Sequence, residues 1–196
     1  MIVIDIEASG IDHRVHGILS IGAVDFSKPE RQYYGECGLR EGLGFMEEAL
    51  SVNGFLYEEI ANPGKQTETE LVEDFLVWFE KSENHTLGGQ NPHFDLTFLE
   101  EACRRGGLNA PFARRLIDLH SVSVFHMISR GIEPPIRKRR SDVDSNMVMR
   151  YVGIPEEPRP HNALNGAIWE AEALNRLFYN EGLFETFDRY SIPWLE

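Results

Sequence analysis

Residues 1–10 read MIVIDIEASG, an apolar and largely β-branched run interrupted at Asp5 and Glu7. Val and Ile favour a pleated, half-buried or buried strand. Residues i and i+2 of a strand project to one face, so Asp5 and Glu7 leave the sheet side by side. Two like charges at the mouth of a core strand repel each other and are costly to desolvate. A divalent cation between them removes that conflict, because Mg2+ takes carboxylate oxygens and keeps water or phosphate oxygens as its remaining ligands. The plainer alternative is a strand end at which both acids face water.

Working outward, GILSIGAVDF (17–26) reads as a second strand, split from the first by the turn around Gly10, and QYYGECGL (32–39) as a weaker third. Three short adjacent strands predict an antiparallel meander. From about residue 45 the period changes. TETELVEDFLVWFEKS (67–82) opens with a capping box, Thr67 and Glu70, then repeats Leu71, Phe75, Trp78 and Phe79 at helical spacing. That spacing makes Trp78 and Phe79 core residues rather than base-stacking platforms. HTLGGQ (85–90) predicts a short strand, FDLTFLEEACRRGG (94–107) a helix closed by Gly106 or Gly107, and LIDLHSVSVFHMISRG (116–131) a strand running into a helix. GIEPPIRKRRSD (131–142) reads as a loop, SDVDSNMVMRYVG (141–153) as a short helix started by Ser141, and 161–180 as the last long helix. Strands first, then alternating helices and strands, predict one α/β domain over 1–196 with a mixed sheet.

The composition, 42% apolar and 26% charged residues over 196 positions, is that of a globular protein. Nineteen Lys and Arg against thirty-two Asp and Glu leave a net charge of −13. Phosphate affinity comes mostly from Lys and Arg. A nucleic-acid role must therefore rest on a local basic patch or on bound cations that invert the local charge. Cys37 and Cys103 stand outside any CxxC pattern and read as reduced, buried thiols. The acidic N-terminus is not a signal peptide, and no apolar run is long enough to span a membrane, so the expectation is a cytoplasmic protein with no membrane partner. No GxxxxGK or GxGxxG occurs, which removes the usual phosphate-cradle motifs.

Two further stretches carry chemistry. In GGQNPHFDLTFLEEAC (88–103), Asp95 stands near a helix start after glycines that allow close approach, although an acid there also simply complements the helix dipole. In HNALNGA (161–167), His161 stands at a helix start and is a candidate general base, or else only a cap. These stretches, in this order, resemble the DEDDh-type 3′–5′ exonucleases of the proofreading superfamily. DIEASG (5–10) is similar to that family's first motif, D-x-E-[TA]-[ST]-G, and SIGAV (20–24) to the strand after it. GGQNPHFDLTFLEEAC is similar to the second motif, in which an Asn and a Phe precede the Asp. HNALNGA resembles the third, H-x-A-x-x-D-A, with Asn165 read at the aspartate position. The resemblance covers roughly residues 2–177.

The resemblance implies a ribonuclease H-like α/β fold, with a mixed central sheet, an antiparallel N-terminal meander and flanking helices. It implies removal of nucleotides from a single-stranded 3′ end of DNA or RNA with two Mg2+ or Mn2+. Asp5, Glu7, Asp95 and the residue at 165 would hold the metals, and His161 would take the proton of the attacking water. Ala8 and Ser9 amides, with Asn91, Phe94 and Ile11, would position the terminal nucleotide. Asn165 keeps the shape of aspartate but loses its charge and its second equivalent oxygen, and hard dications prefer carboxylate. Read this way, turnover falls by a factor of about 100 or more. The chain is then an engineered variant, a 3′-end-binding module on the same fold, or an enzyme in which another acid compensates. Glu172 lies two turns on, about 10 Å away by helix rise, too far to substitute directly, and Asp118 is not placed by the sequence. Arg137, Lys138, Arg139 and Arg140 form the one dense basic run and suit backbone-phosphate contacts, unless they are only a solvated loop.

Overall fold

Strand β1 (Ile2–Ala8) is the centre from which the rest is laid out, and the computed structural model describes residues 1–195. β1 pairs antiparallel with β2 (Ile18–Asp25), which pairs antiparallel with β3 (Gln32–Glu36). On its other side β1 runs parallel to β4 (Leu87–Gly89), and β4 parallel to β5 (Ile117–Asp118), giving the order β3-β2-β1-β4-β5. The meander is as the β-branched runs predict, and the parallel half follows because each later strand is reached through a helix.

Helices cover both faces. α3 (Glu68–Phe79) and α4 (Pro92–Gly106) pack on the face presenting Ile2, Ile4 and Ile6, in a cluster with Phe75, Phe79, Phe98 and Leu99. α5 (Leu119–Ser129), α6 (Ser145–Val152) and α7 (Ala163–Tyr179) cover the other face, around Val3, Val24, Ala167, Ala171 and Leu174. Asp5 and Glu7 belong to this second face, where α7 crosses. The Thr67–Glu70 capping box starts α3: the Thr67 hydroxyl accepts from the Glu70 N–H at 3.2 Å, and the Thr67 N–H donates to Glu70 Oε2 at 2.7 Å. Trp78 and Phe79 lie within or against the core.

Three stretches differ from the sequence reading. α1 (Glu47–Asn53) and α2 (Tyr57–Ile60) lie in a segment without helical signals; α1 is preceded by Met46, whose side chain cannot cap. α6 begins after Asp144, whose carboxylate accepts the Met147 N–H at 2.8 Å, rather than after Ser141. The basic run is a two-stranded hairpin, β6 (Ile136–Arg137) and β7 (Arg140–Ser141), not a loop. Lys138 and Arg139 occupy its tip at φ 50° and 64°, the conformation a tight two-residue hairpin turn demands. Cys37 and Cys103 are buried free thiols. Among the described residues no helix is long and apolar enough to cross a membrane.

Candidate functional site

The register of the sheet explains how the acids are exposed and then covered. Asp5 lies opposite Gly22 of β2, and Glu7 opposite Ser20, all on the face under α7. Gly22 lets the start of α7 come down onto the sheet: a Cβ there would lie 2.1 Å from the Ala163 carbonyl carbon. The first turn of α7 is thereby pressed over Asp5. From the far side, α4 brings Asp95 to the same end of β1, where its Oδ1 accepts the Ile6 N–H at 3.0 Å. α4 is aimed by Asn91, held at φ 55°, followed by Pro92 in the first turn.

Two acids that sequence reasoning missed complete the group. Glu157, in the segment before α7, accepts the Asn162 N–H at 3.1 Å through Oε1, and its Oε2 lies 3.5 Å from His161 Nδ1. Glu170, on α7, accepts the Gln90 N–H at 3.0 Å through Oε2 and is only 6% exposed. A signal for Glu170 did exist, since it is an acid in the buried stripe of Ala163, Ala167, Ala171 and Leu174. Glu157 carries no comparable mark, because its burial depends on how the segment folds back.

Burial comes first in the electrostatics, and crowding of like charge adds to it. Asp5 is pushed well above the ordinary carboxylate range, first by burial and then by the charges of Glu170, Glu7, Asp95 and Glu157. Burial, then Glu157 and Asp95, raise Glu7 to about 8. Burial raises Asp95 to about 7 against the pull of its own and the Ile6 N–H. Glu157 is raised by burial, opposed by the Asn162 N–H and by His161. Glu170 is raised well above its ordinary value by burial and then by Asp95. Among the described residues no three His, Cys, Asp or Glu side chains stand in a ready-made coordination arrangement. The donor chemistry nevertheless suits a hard divalent cation, being all carboxylate oxygen. Two buried polar atoms beside the acids, Ser20 Oγ and Gln90 Oε1, have no hydrogen-bond partner among the described residues. Such orphaned atoms suit the water shell that Mg2+ keeps.

His161 sits just outside the helix, because Asn162 is the cap: its Oδ1 accepts the N–H groups of Leu164 and Asn165 at 3.1 and 3.2 Å. The His161 ring is partly exposed and stands beside Glu157, whose charge also acts on Asp5 and Glu7. Asn165 requires a correction. The residue of α7 that faces Asp5 is Gly166, where a Cβ would lie 2.0 Å from Asp5 Oδ2. Counting five residues from His161, as the motif spacing requires, also ends at Gly166. Asn165 points about 100° to the side of that line, one helical step away. No side chain at all therefore stands where a fourth acid was expected.

The remaining predicted residues divide. Asn91 is exposed beside Asp95, and Phe94 packs on Phe98 with ring centroids 4.7 Å apart. Ile11 projects into solvent, 74% exposed, just past β1. Ala8 is buried at the end of β1, and its carbonyl accepts from Asn53 Nδ2 at 3.3 Å. Ser9 cannot offer its amide to a ligand as expected: its N–H is spent on the Gly17 carbonyl at 2.9 Å, and its hydroxyl donates to the Gly44 carbonyl at 2.8 Å. Arg137 is paired with Asp142 at 2.8 Å, whereas Lys138, Arg139 and Arg140 form no ion pair among the described residues. Next to the hairpin, Gln90 Nε2 donates to the Val143 carbonyl at 3.4 Å, and Ser141 of β7 lies 2.8 Å from His120 Nε2. Asp118 caps α5, and Glu172 is committed to a buried pair with Arg176.

No family model matches this chain, and no curated protein matches it. Solved structures do. Cell-death related nuclease 4 superposes with a TM-score of 0.71 at 14% identity, over 97% of this chain and 65% of that one. E. coli Exonuclease I in complex with a dA16 oligonucleotide gives 0.72 at 14% identity, over 91% of this chain and 41% of that one. The nuclease domain of 3'hExo, a DEDDh family member bound to rAMP, gives 0.68 at 15% identity, over 92% of both chains. The chain thus spans less than two thirds of the first two of these proteins. At such identities the likeness establishes the fold: a ribonuclease H-like α/β arrangement, with a five-stranded mixed sheet flanked by helices, as in these exonucleases.

Proposed function

We propose that this chain is a divalent-cation-dependent 3′–5′ exonuclease acting on the single-stranded 3′ end of DNA or RNA, within one domain over 1–196. The observation that carries the reading is the convergence of Asp5, Glu7 and Asp95 on one end of β1, with His161 linked to them through Glu157. Asp5, Glu7 and Asp95 would hold two Mg2+ or Mn2+, which supply charge stabilisation to an in-line phosphoryl displacement. Glu157, whose Oε2 lies 3.5 Å from His161 Nδ1, would orient the ring and leave Nε2 to take a proton from water. Asn91, Phe94 and Ile11 border the space for the terminal nucleotide, with Ala8 forming its floor. Lys138, Arg139 and Arg140 offer phosphate contacts that do not read sequence.

Gly166 favours a second reading, a 3′-end-binding module that does not cut, because the position facing Asp5 carries no acid. Digestion of 5′-labelled single-stranded DNA and RNA with Mn2+, comparing the chain with Asp5→Asn, separates the two. A ladder of shortened products that Asp5→Asn abolishes supports the enzyme. No ladder from either form, with 3′-end binding retained, transfers the assignment to the binding module.

A further inference from the structure

We infer that Glu170 is the fourth carboxylate of the cation site, reaching it from one helical turn beyond the glycine that faces Asp5. The inference rests on the reading of Asp5, Glu7 and Asp95 as cation ligands and adds a residue that no motif in the chain marks.

Asp25, Glu68, Asp95, Glu170 and Glu172 are each nine-tenths or more buried. Three have an arginine: Asp25 pairs with Arg31 at 3.0 Å, Glu68 with Arg105 at 2.6 Å and Glu172 with Arg176 at 2.6 Å. Asp95 and Glu170 have no cationic partner among the described residues. Buried charges are paired or coordinate metals, so these two are the acids for which the protein itself supplies no counter-charge. Both stand at the same end of the β1–β4 pair: Asp95 on the Ile6 N–H, Glu170 on the Gln90 N–H directly after β4.

Helix geometry connects Glu170 to the gap over Asp5. Positions 166 and 170 lie on one helix face, about 6 Å apart along the axis. Helical side chains lean toward the N-terminus, over the preceding turn, and Glu170 Oε2 ends on the Gln90 N–H, at the end of β4 beside β1. Glutamate adds a methylene to the reach of aspartate. Gly166, pressed against Asp5, contributes no side chain of its own to that space. The sheet makes matching room: β4 ends at Gly89, where a Cβ would lie 2.7 Å from Glu170 Oε2 and 2.8 Å from the Ile4 carbonyl oxygen. The unpartnered Gln90 Oε1 belongs to the residue whose N–H holds Glu170. Gly166 and Glu170 together thus move the fourth ligand from a short side chain beside Asp5 to a longer one a turn away.

The test measures Mn2+ binding to the full chain by calorimetry, and by thermal shift, for the unaltered protein, Asp5→Asn and Glu170→Gln. Glutamine keeps the volume of glutamate and an acceptor for the Gln90 N–H, so the variant folds; its melting curve without metal checks this. The inference expects Asp5→Asn to lose Mn2+ binding and Glu170→Gln to lose at least about tenfold in affinity with a smaller Mn2+-induced rise in Tm. Unchanged Mn2+ affinity in Glu170→Gln, with binding lost in Asp5→Asn, overturns the role of Glu170 and leaves the cation site standing. Absence of Mn2+ binding by the unaltered chain overturns the site reading and the role of Glu170 with it.

Discussion

Replacing Glu7 by Gln should make the metal-free protein more stable while removing a group its proposed chemistry needs. Glu7 is carried from an ordinary value of 4.5 to about 8 by burial and by the charges of Glu157 and Asp95. An acid whose value is raised on folding binds its proton more tightly in the folded state. Its contribution is therefore fully present below about pH 4.5 and is lost as pH rises toward 8. The gap of about 3.5 pH units, at about 1.4 kcal/mol each, sets an upper bound near 5 kcal/mol for the cost of ionising Glu7 at pH 8. The neighbouring acids share protons with it, so a net gain of about 2–4 kcal/mol is expected for Glu7→Gln at pH 8 in EDTA. For a chain of this length that is a rise in Tm of about 5–15 °C. At pH 4.5 the two proteins should melt together, and excess Mn2+ at pH 8 should close the gap by stabilising only the unaltered chain. Differential scanning calorimetry at the two pH values, with EDTA and with Mn2+, reads all four conditions. A Glu7→Gln protein that melts at or below the unaltered chain at pH 8 in EDTA would refute the picture of five acids crowded against one another.

The buried pair Glu172–Arg176 ties the C-terminal segment to α7: Arg176 donates to the carbonyls of Val152, Phe187 and Ser191, and Glu172 accepts from the N–H groups of Leu183 and Phe184. Arg176→Met leaves Glu172 buried without its counter-charge and should cost about 3–5 kcal/mol, seen as a Tm lower by about 10–15 °C; the double change Glu172→Gln, Arg176→Met should cost less than the single one. Replacing Arg137, Lys138, Arg139 and Arg140 by Ala should flatten the salt dependence of single-strand binding. Because Arg137 is already paired with Asp142, about three phosphate contacts are lost and the slope of log K against log salt should fall by about 2. An unchanged slope means that the hairpin does not touch the substrate.

The sequence by itself determined what is written into local periodicity. A β-branched run with Asp5 and Glu7 two apart reads as a strand with both acids on one face. Thr67 and Glu70 start α3, and Asp95 and His161 come to helix starts at the spacing three motifs require. What the sequence could not decide is which atom of one element faces which atom of another. Gly166 rather than Asn165 lies over Asp5 because Gly22 lets α7 settle onto β2 at one particular height and rotation, and a shift of one residue turns a helix by about 100°. The Ser9 amide is occupied because the chain after β1 folds back beside Gly17. Glu170 and Glu157 look in sequence like any other glutamates of an acidic chain. They become part of a site only through long-range packing, which strips their water and leaves one with a histidine 3.5 Å away and the other with no counter-charge among the described side chains. Periodicity is a property of one element, whereas desolvation and charge crowding arise between elements, and only the tertiary structure sets them.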